Sequence, residues 1–274
     1  MSAMFKSEIE SVKPEWAGAA PRRVKAFFTC RTGGVSSGPW GGPDGIMGMN
    51  LAAHTGDAKF CVDMNRRILA QCLPGEPKWL AQVHGTEILH ADDVRTDLEA
   101  PEADGAWTAT PGIVCSVMTA DCLPVLLADR SGRIVAALHA GWRSLADGIL
   151  QKGVAKLLAE APGADLAAWL GPRIGPEAFE VGPDVLEAMR RHLHDADRHF
   201  RPAGEGRWLA DLAGLAHDAL VSSGVAPDAI TDCGLSTYGD AQRFFSFRRD
   251  GERSGRHAAL IWIEPVEAAQ PPAR

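Results

Sequence analysis

Residues Gly112 to Leu150 read GIVCSVMTADCLPVLLADRSGRIVAALHAGWRSLADGIL, and the reading of this stretch decides the fold. Within it, Cys122 to Asp129 is a short apolar run, Arg130-Ser131-Gly132 carries turn chemistry, and Arg133 to His139 is a second apolar run with β-branched residues. That pattern is a β-hairpin signal. A two-residue turn centred on Arg130 and Ser131 sets Cys122 directly opposite His139, where Cβ atoms lie roughly 4.5–5.5 Å apart. A thiolate and an imidazole at that separation can share one metal ion or one proton. A three-residue loop with Gly132 in the left-handed region shifts the register by one residue, which changes the face of each side chain unless a bulge restores it.

After His139 the chain turns at Gly141, and apolar Leu145, Ile149, Val154, Leu157 and Leu158 predict a helix over 143–160. The histidine therefore sits at a strand-to-helix corner, fixed by the strand and left accessible by the loop. Before Cys122, Ile113 to Met118 reads as a strand. Asp121 can orient a catalytic histidine, accept a hydrogen bond from a metal-bound one, or cap the turn.

Further upstream, residues 1–21 read as a loose lead-in and Val24 to Cys30 as a strand. The following segment, 31–57, is a long loop dense in Gly, Pro and Ser, and a compact domain seldom carries one without a use for it. Arg31, Asn50 and His54 are its polar candidates for reaching a ligand. Asp57 to Cys72 reads as an amphipathic scaffold helix. Residues 79–88 alternate apolar and polar, as a strand or bent hairpin does, with His84 before Gly85. Ala103-Asp104-Gly105-Ala106 is a turn.

Downstream, Ala167 to Leu170 reads as a strand and Asp184 to Phe200 as a polar helix whose His192 and His194 face solvent. Trp208 to Val221 reads as a helix with Asp211 as a buried polar partner. The segment FFSFRRDGERSGRHAALIWI, residues 244–263, reads as a last hairpin, and 266–274 as a Pro/Ala-rich tail.

With 274 residues the chain fits one domain, placed at 22–265. The 28 basic and 35 acidic residues give a net charge of −7 without long blocks of one sign, which points away from nucleic acid and anionic membranes and toward a small-molecule ligand. The N-terminus has no apolar signal core and no uncharged apolar run reaches the ~18 residues of a spanning helix, so a cytoplasmic location is expected. Six scattered cysteines without a CxxC pair argue against a disulfide framework. The oligomeric state stays open, a monomer being the simplest reading.

The chemistry rests on His84, Cys122 and His139. Two imidazoles and a thiolate make a three-ligand set for Zn²⁺ with a fourth position for water or substrate, and copper accepts the same set. The segments QVHG (Gln82 to Gly85), TADCLPV (Thr119 to Val125) and HAGWR (His139 to Arg143) together resemble the laccase-domain family, also called multicopper polyphenol oxidoreductase or peptidoglycan editing factor, whose later-described activity is purine nucleoside phosphorolysis. The resemblance extends through RTGGVS (Arg31 to Ser36), MNLAAHTGD (Met49 to Asp57), WLGPRIGPEAFEVG (Trp169 to Gly182) and TYGDAQRFFSFRRDG (Thr237 to Gly251). One departure is NLAAHTGD, where a glycine is expected at Ala52 or Ala53.

This resemblance implies an α+β sandwich of mixed, largely antiparallel sheets flanked by helices, with zinc on His84, Cys122 and His139. It also implies phosphorolysis of adenosine, inosine, guanosine and methylthioadenosine, with adenosine deamination as a second reaction. Arg31, Arg143 and Arg248 are the phosphate candidates and Asn50 a ribose or base candidate. Two other enzymes fit the same letters. One is a Cys-His hydrolase, with Cys122 as nucleophile activated by His139, editing peptidoglycan precursors. The other is a copper-dependent polyphenol oxidase, set back by the presence of a single His-x-His pair, His192-x-His194. A non-enzymatic binder of nucleoside or metal is the remaining class.

Overall fold

The computed structural model describes residues 9–265, so residues 1–8 of the expected lead-in and the tail 266–274 lie outside it. Two sheets pack face to face. The first runs in the order β1 (Ser11–Val12), β2 (Val24–Thr29), β15 (His257–Ile263), β7 (Val114–Thr119) and β4 (Pro77–Lys78). The second runs β14 (Ile230–Asp232), β10 (Leu166–Leu170), β8 (Leu123–Asp129), β9 (Val135–Ala140), β6 (Gly105–Thr108) and β5 (Ile88–His90). Only the outer pairs β4·β7, β14·β10 and β5·β6 are parallel; the pairs between them are antiparallel. A small antiparallel sheet of β11 (Glu180–Val181), β13 (Arg207–Ala210) and β12 (Phe200–Gly204) stands beside them. The expected mixed α+β sandwich is the observed one.

Alternation along β8 and β9 explains the layers. Val125, Leu127, Ala136 and Leu138 join the core under the helices α3 (Ile149–Glu160), α4 (Pro183–Arg190) and α5 (Leu212–Ser222). Leu126, Ala128, Val135 and Ala137 point the other way, into the core between the sheets, against Phe28, Val117 and Ile261. Both faces are covered, which is why all of β8 and β9 is buried and reads as a continuous apolar run. The outer face of the first sheet is closed by α1 (Lys59–Ala70), whose Leu69 packs with Met49, Leu51 and Leu260.

The β8–β9 hairpin forms, with a different register. Pro124 pairs with His139 and Ala128 with Val135, and the Asp129 amide bonds the Ile134 carbonyl at 3.0 Å, so the loop holds Arg130 to Arg133, with Gly132 at φ +78°. Cys122 is thus a diagonal rather than a direct neighbour of His139. The displacement is two residues, and because strand side chains alternate with period two, both still project from the same face. That face is the one between the sheets. Gly105 pairs with Leu138, which sets Asp104 opposite His139 at the end of β6.

Other expectations are corrected by local physics. The helix over 143–160 is broken into α2 (Trp142–Ala146) and α3, because Gly148 adopts φ +86° between them. Residues 79–87 form no strand, since their polar groups pair irregularly: the Gln82 amide bonds both ways to the Met118 backbone, at 2.6 and 2.8 Å. Residues 184–200 stop being α-helical at Arg190, and His192 and His194 are both exposed after it. Trp208 lies in β13, and Asp211 is the N-cap of α5, accepting from the Ala213 amide at 3.0 Å. The last hairpin is instead a loop, a single helical turn α6 (Phe247–Asp250) and the central strand β15. Within the long loop, Thr32–Ser36 forms β3. The described part of the lead-in is tied down, with Ser11 and Val12 pairing to Thr29 and Phe28, and Arg130 donating to the Ala17 carbonyl at 2.8 Å.

Candidate active site

At one end of the gap between the sheets, His84, Cys122 and His139 converge. One ligand atom from each lies within 4.8 Å of the other two. Cys122 Sγ is 3.7 Å from His84 Nε2, and the two imidazoles meet edge to face with centroids 4.8 Å apart. The space is reserved by a missing side chain, because a Cβ on Gly141 would stand 2.7 Å from His84 Cδ2 and 3.2 Å from Cys122 Sγ.

The group that organises this triangle is Asp104, which is fully buried. His139 Nδ1–H donates to its carboxylate at 2.7 Å, so Nε2 is the nitrogen left facing the cluster. The same carboxylate accepts three consecutive amides, Val83 at 3.2 Å, His84 at 3.0 Å and Gly85 at 2.7 Å. Successive N–H groups converge on one anion only when the chain bends sharply, and His84 accordingly sits at φ +60°. The Asp104 carbonyl also accepts the His139 amide at 2.7 Å. One residue thus fixes both histidines.

Asp121 has a different task from the histidine-orienting roles considered for it. Its carboxylate accepts Thr237 Oγ1–H at 2.6 Å, Ser246 Oγ–H at 2.9 Å and the Arg248 amide at 2.6 Å. It ties the 237–248 segment to the Cys122 turn, and its own φ of +86° is the left-handed geometry of that turn.

Electrostatics follow from this packing. Burial alone pushes the Cys122 thiol up, but the charge of His139 and the contact with His84 outweigh it and bring the thiol down from 9.0 to about 6. Burial alone pushes His139 down, yet the Cys122 charge and the Asp104 bond raise it from 6.5 to about 9. Burial likewise works against the Asp104 carboxylate, and the His139 bond and surrounding amides hold it below the usual range. A thiolate beside two imidazoles, one of them oriented by a buried carboxylate, is a donor set suited to Zn²⁺ or copper.

The cluster opens into a cavity of about 550 Å³. Trp142, Phe179 and Phe247 give it aromatic walls, and His54, Arg143, Arg248 and Arg256 line it as well. Of the expected substrate residues, Arg143 and Arg248 are there. Arg143 is exposed and lies over the Trp142 ring at 4.3 Å. Arg31 and Asn50 are not brought to the cavity. Arg31 donates to the carbonyls of Gly41 and Ala241 at 2.8 and 3.1 Å. Asn50 is fully buried, with its amide spent on Ala52, Thr55, Asp57 and Arg256. Asp104 and Arg256 were not singled out in the sequence. The short apolar strand that begins at Gly105 could have flagged Asp104 as the residue just before it, while nothing local marks Arg256.

The profile of the family described as multi-copper polyphenol oxidoreductase laccase matches residues 25–264. A protein of Pseudomonas aeruginosa named purine nucleoside phosphorylase is 45% identical over 252 residues, covering 92% of this chain and 97% of that one. One of the same name from Escherichia coli is 42% identical over 254 residues, covering 92% and 98%. Among solved structures, a Neisseria meningitidis protein superposes with a TM-score of 0.83 at 40% identity, covering 93% of this chain and 99% of its own. YlmD from Geobacillus stearothermophilus superposes equally well, with a TM-score of 0.83 at 27% identity and coverage of 94% and 99%.

Proposed function

We propose that this chain, which belongs to the multi-copper polyphenol oxidoreductase laccase family, is a zinc-dependent purine nucleoside phosphorylase acting on adenosine, inosine, guanosine and methylthioadenosine, with adenosine deamination as a side reaction. The observation that carries the reading is the His84–Cys122–His139 triangle at the floor of an aromatic-walled, arginine-lined cavity. A cavity of about 550 Å³ suits a nucleoside together with a phosphate.

In phosphorolysis a phosphate oxygen bonds to the ribose C1′ while the C1′–N9 bond breaks, the purine leaves with a proton, and ribose 1-phosphate forms. Positioning and charge stabilisation are the enzyme's main levers on such a step. The aromatic walls hold the base, and the pocket arginines draw in the phosphate. His84, Cys122 and His139 would hold the zinc, which supplies Lewis acidity to polarise a substrate atom. Asp104 keeps the Nδ1 proton on His139 and so keeps Nε2 turned inward. In deamination a C6–O bond forms from water and the C6–N bond breaks, releasing ammonia. The domain unit is taken as 22–265, and a thiolate that must stay reduced fits the cytoplasm.

A second reading is supported by one feature. Asp104, His139 and Cys122 line up as orienter, base and nucleophile, the arrangement of a thiol hydrolase able to edit a peptidoglycan precursor. Copper-dependent polyphenol oxidation ranks below both, since His192 and His194 do not line the cavity. Chromatographic product analysis of metal-quantified protein with adenosine, with and without phosphate, separates them. The phosphorylase reading expects phosphate-dependent adenine and ribose 1-phosphate, both lost with the zinc in Cys122→Ala. Nucleoside left intact while Cys122 is alkylatable and metal-free overturns it in favour of the hydrolase.

A further inference from the structure

The four basic side chains of the cavity are not equivalent. Arg248 spends its guanidinium on the carbonyls of Ala178 and Glu180, at 3.2 Å each. Arg143 stands exposed at the start of α2. Arg256 is only partly exposed, its Nη1 donates to the Ser254 and Gly255 carbonyls at 2.6 and 3.2 Å, and its guanidinium lies 5.4 Å from the Phe247 ring centre. No carboxylate forms an ion pair with it among the described residues; its charge is balanced at longer range by Cys122 and Asp121. A desolvated guanidinium without a carboxylate partner is a receptor for an oxyanion, and phosphate matches its fork of donors.

Asn50 brings a second donor to the same wall. Its Oδ1 accepts the Arg256 amide at 3.0 Å, a contact spanning 206 residues, and the Ala52 amide at 3.1 Å. Its Nδ2 donates to the Ala52 carbonyl at 3.3 Å and to Thr55 Oγ1 at 2.9 Å. One buried amide therefore clamps the turn carrying His54 and the backbone carrying Arg256, and the Leu51 amide adds a bond to the Arg256 carbonyl at 3.2 Å. His54 is exposed on that turn and lines the cavity together with Arg256; partial desolvation and the charges of Arg256 and Arg66 lower its pKa from 6.5.

We propose that Arg256 and His54 form the phosphate subsite of the cavity, with Asn50 as the positioning residue that fixes them on one wall. This rests on the phosphorylase reading and assigns the anion to Arg256, which lies outside the sequence motifs, and to His54, which lies within MNLAAHTGD. The bound phosphate takes two N–H bonds from Arg256 and one from His54, which leaves the aromatic walls to the purine.

The test uses the zinc-loaded enzyme with inorganic phosphate as the probe. It compares wild type, Arg256→Gln, Arg256→Lys and Asn50→Ala by calorimetric titration of phosphate and by the KM values for phosphate and inosine, with zinc content and thermal midpoint checked for each. Arg256→Gln is expected to weaken phosphate binding and raise the phosphate KM by about tenfold or more, with the inosine KM moved by less than about threefold. Arg256→Lys restores part of the loss because it keeps the charge without the fork. Asn50→Ala raises the phosphate KM in the same selective way. Wild-type phosphate affinity in Arg256→Gln, or equal loss for phosphate and inosine, overturns the subsite. If inosine is phosphorolysed with a phosphate KM indifferent to Arg256, the enzyme reading stands and the subsite falls. If phosphate binds through Arg256 and no nucleoside is cleaved, the subsite stands and the enzyme reading falls.

Discussion

Replacing Gly141 by alanine should weaken metal binding by the His84–Cys122–His139 cluster while leaving the fold intact. Gly141 is the N-cap of α2 with φ −60° and ψ 159°, a conformation any residue adopts, so the new side chain brings no backbone strain. What it brings is a Cβ 2.7 Å from His84 Cδ2, 3.2 Å from Cys122 Sγ and 3.3 Å from His84 Nε2, where ordinary contact begins at 3.4 Å. The His84 ring must retreat by about 0.7 Å to clear the methyl group, whereas metal–ligand distances tolerate changes of only ~0.2 Å. Altering groups that merely support a ligand costs roughly 10–100-fold in metal affinity, so direct crowding of two ligands should cost at least about 100-fold, or about 2.7 kcal/mol. For the metal-free fold, a residual overlap of roughly 1–3 kcal/mol is partly offset by a gain of roughly 0.4–1 kcal/mol from restricting the unfolded chain. Zinc competition against a chromophoric chelator, with thermal unfolding of the apoprotein alongside, reads both quantities. Wild-type zinc affinity in the variant would refute the claim that His84 and Cys122 grip one ion across Gly141.

Asp104→Asn should cost about 2–4 kcal/mol of stability, because an amide NH₂ would face the N–H groups that the carboxylate accepts. Denaturant unfolding measures it, and a loss below about 1 kcal/mol would contradict the organising role given to Asp104. The Asp104 pKa is depressed, so its contribution is full above the unfolded value of about 3.9 and is lost as pH falls through the folded one. In chelated protein, Cys122 alkylation by iodoacetamide should rise with pH through about 6, the depressed value of its thiol, and a midpoint near 9.0 would show that the imidazoles do not stabilise the thiolate. His257 is held neutral at about 3 by burial, and accepts the Phe245 amide at 2.8 Å. Its ring resonances should stay flat from pH 8 to about 5, and its share of stability should fade as pH drops from about 6.5 toward 3; a titration near neutrality would reverse that assignment.

The hairpin was legible because it is local: two apolar runs and a turn lie within eighteen consecutive positions, and both strands are buried on both faces. Its register was not, because the choice between turns depends on contacts outside it. Gly132 lies so close to Arg22 that a Cβ there would stand 2.0 Å from the Arg22 carbonyl oxygen, and Asp129 is held by the Asp165 amide at 3.1 Å. Cys122 and His139 still share a face because the error was an even number of residues. An odd slip would have turned Cys122 to the helix side and separated it from His139.

The same reasoning shows why Asp104 and Arg256 escaped. A cysteine or histidine advertises its chemistry by type, but a carboxylate acquires a role from the amides it collects, and those of Val83, His84 and Gly85 reach Asp104 only once residues 79–87 abandon the strand that their alternation suggests. Asn50 inverts the case. A polar residue in a long Gly-rich loop invites the expectation of direct ligand contact, yet its carboxamide is buried and its four groups of partners all belong to the protein. The loop still serves the cavity, through what Asn50 holds in place. An exposed polar side chain can wait for substrate at little cost, but a buried amide must be satisfied by the protein in every state. A residue of the second kind can act on substrate only through the groups it positions, here His54 and Arg256.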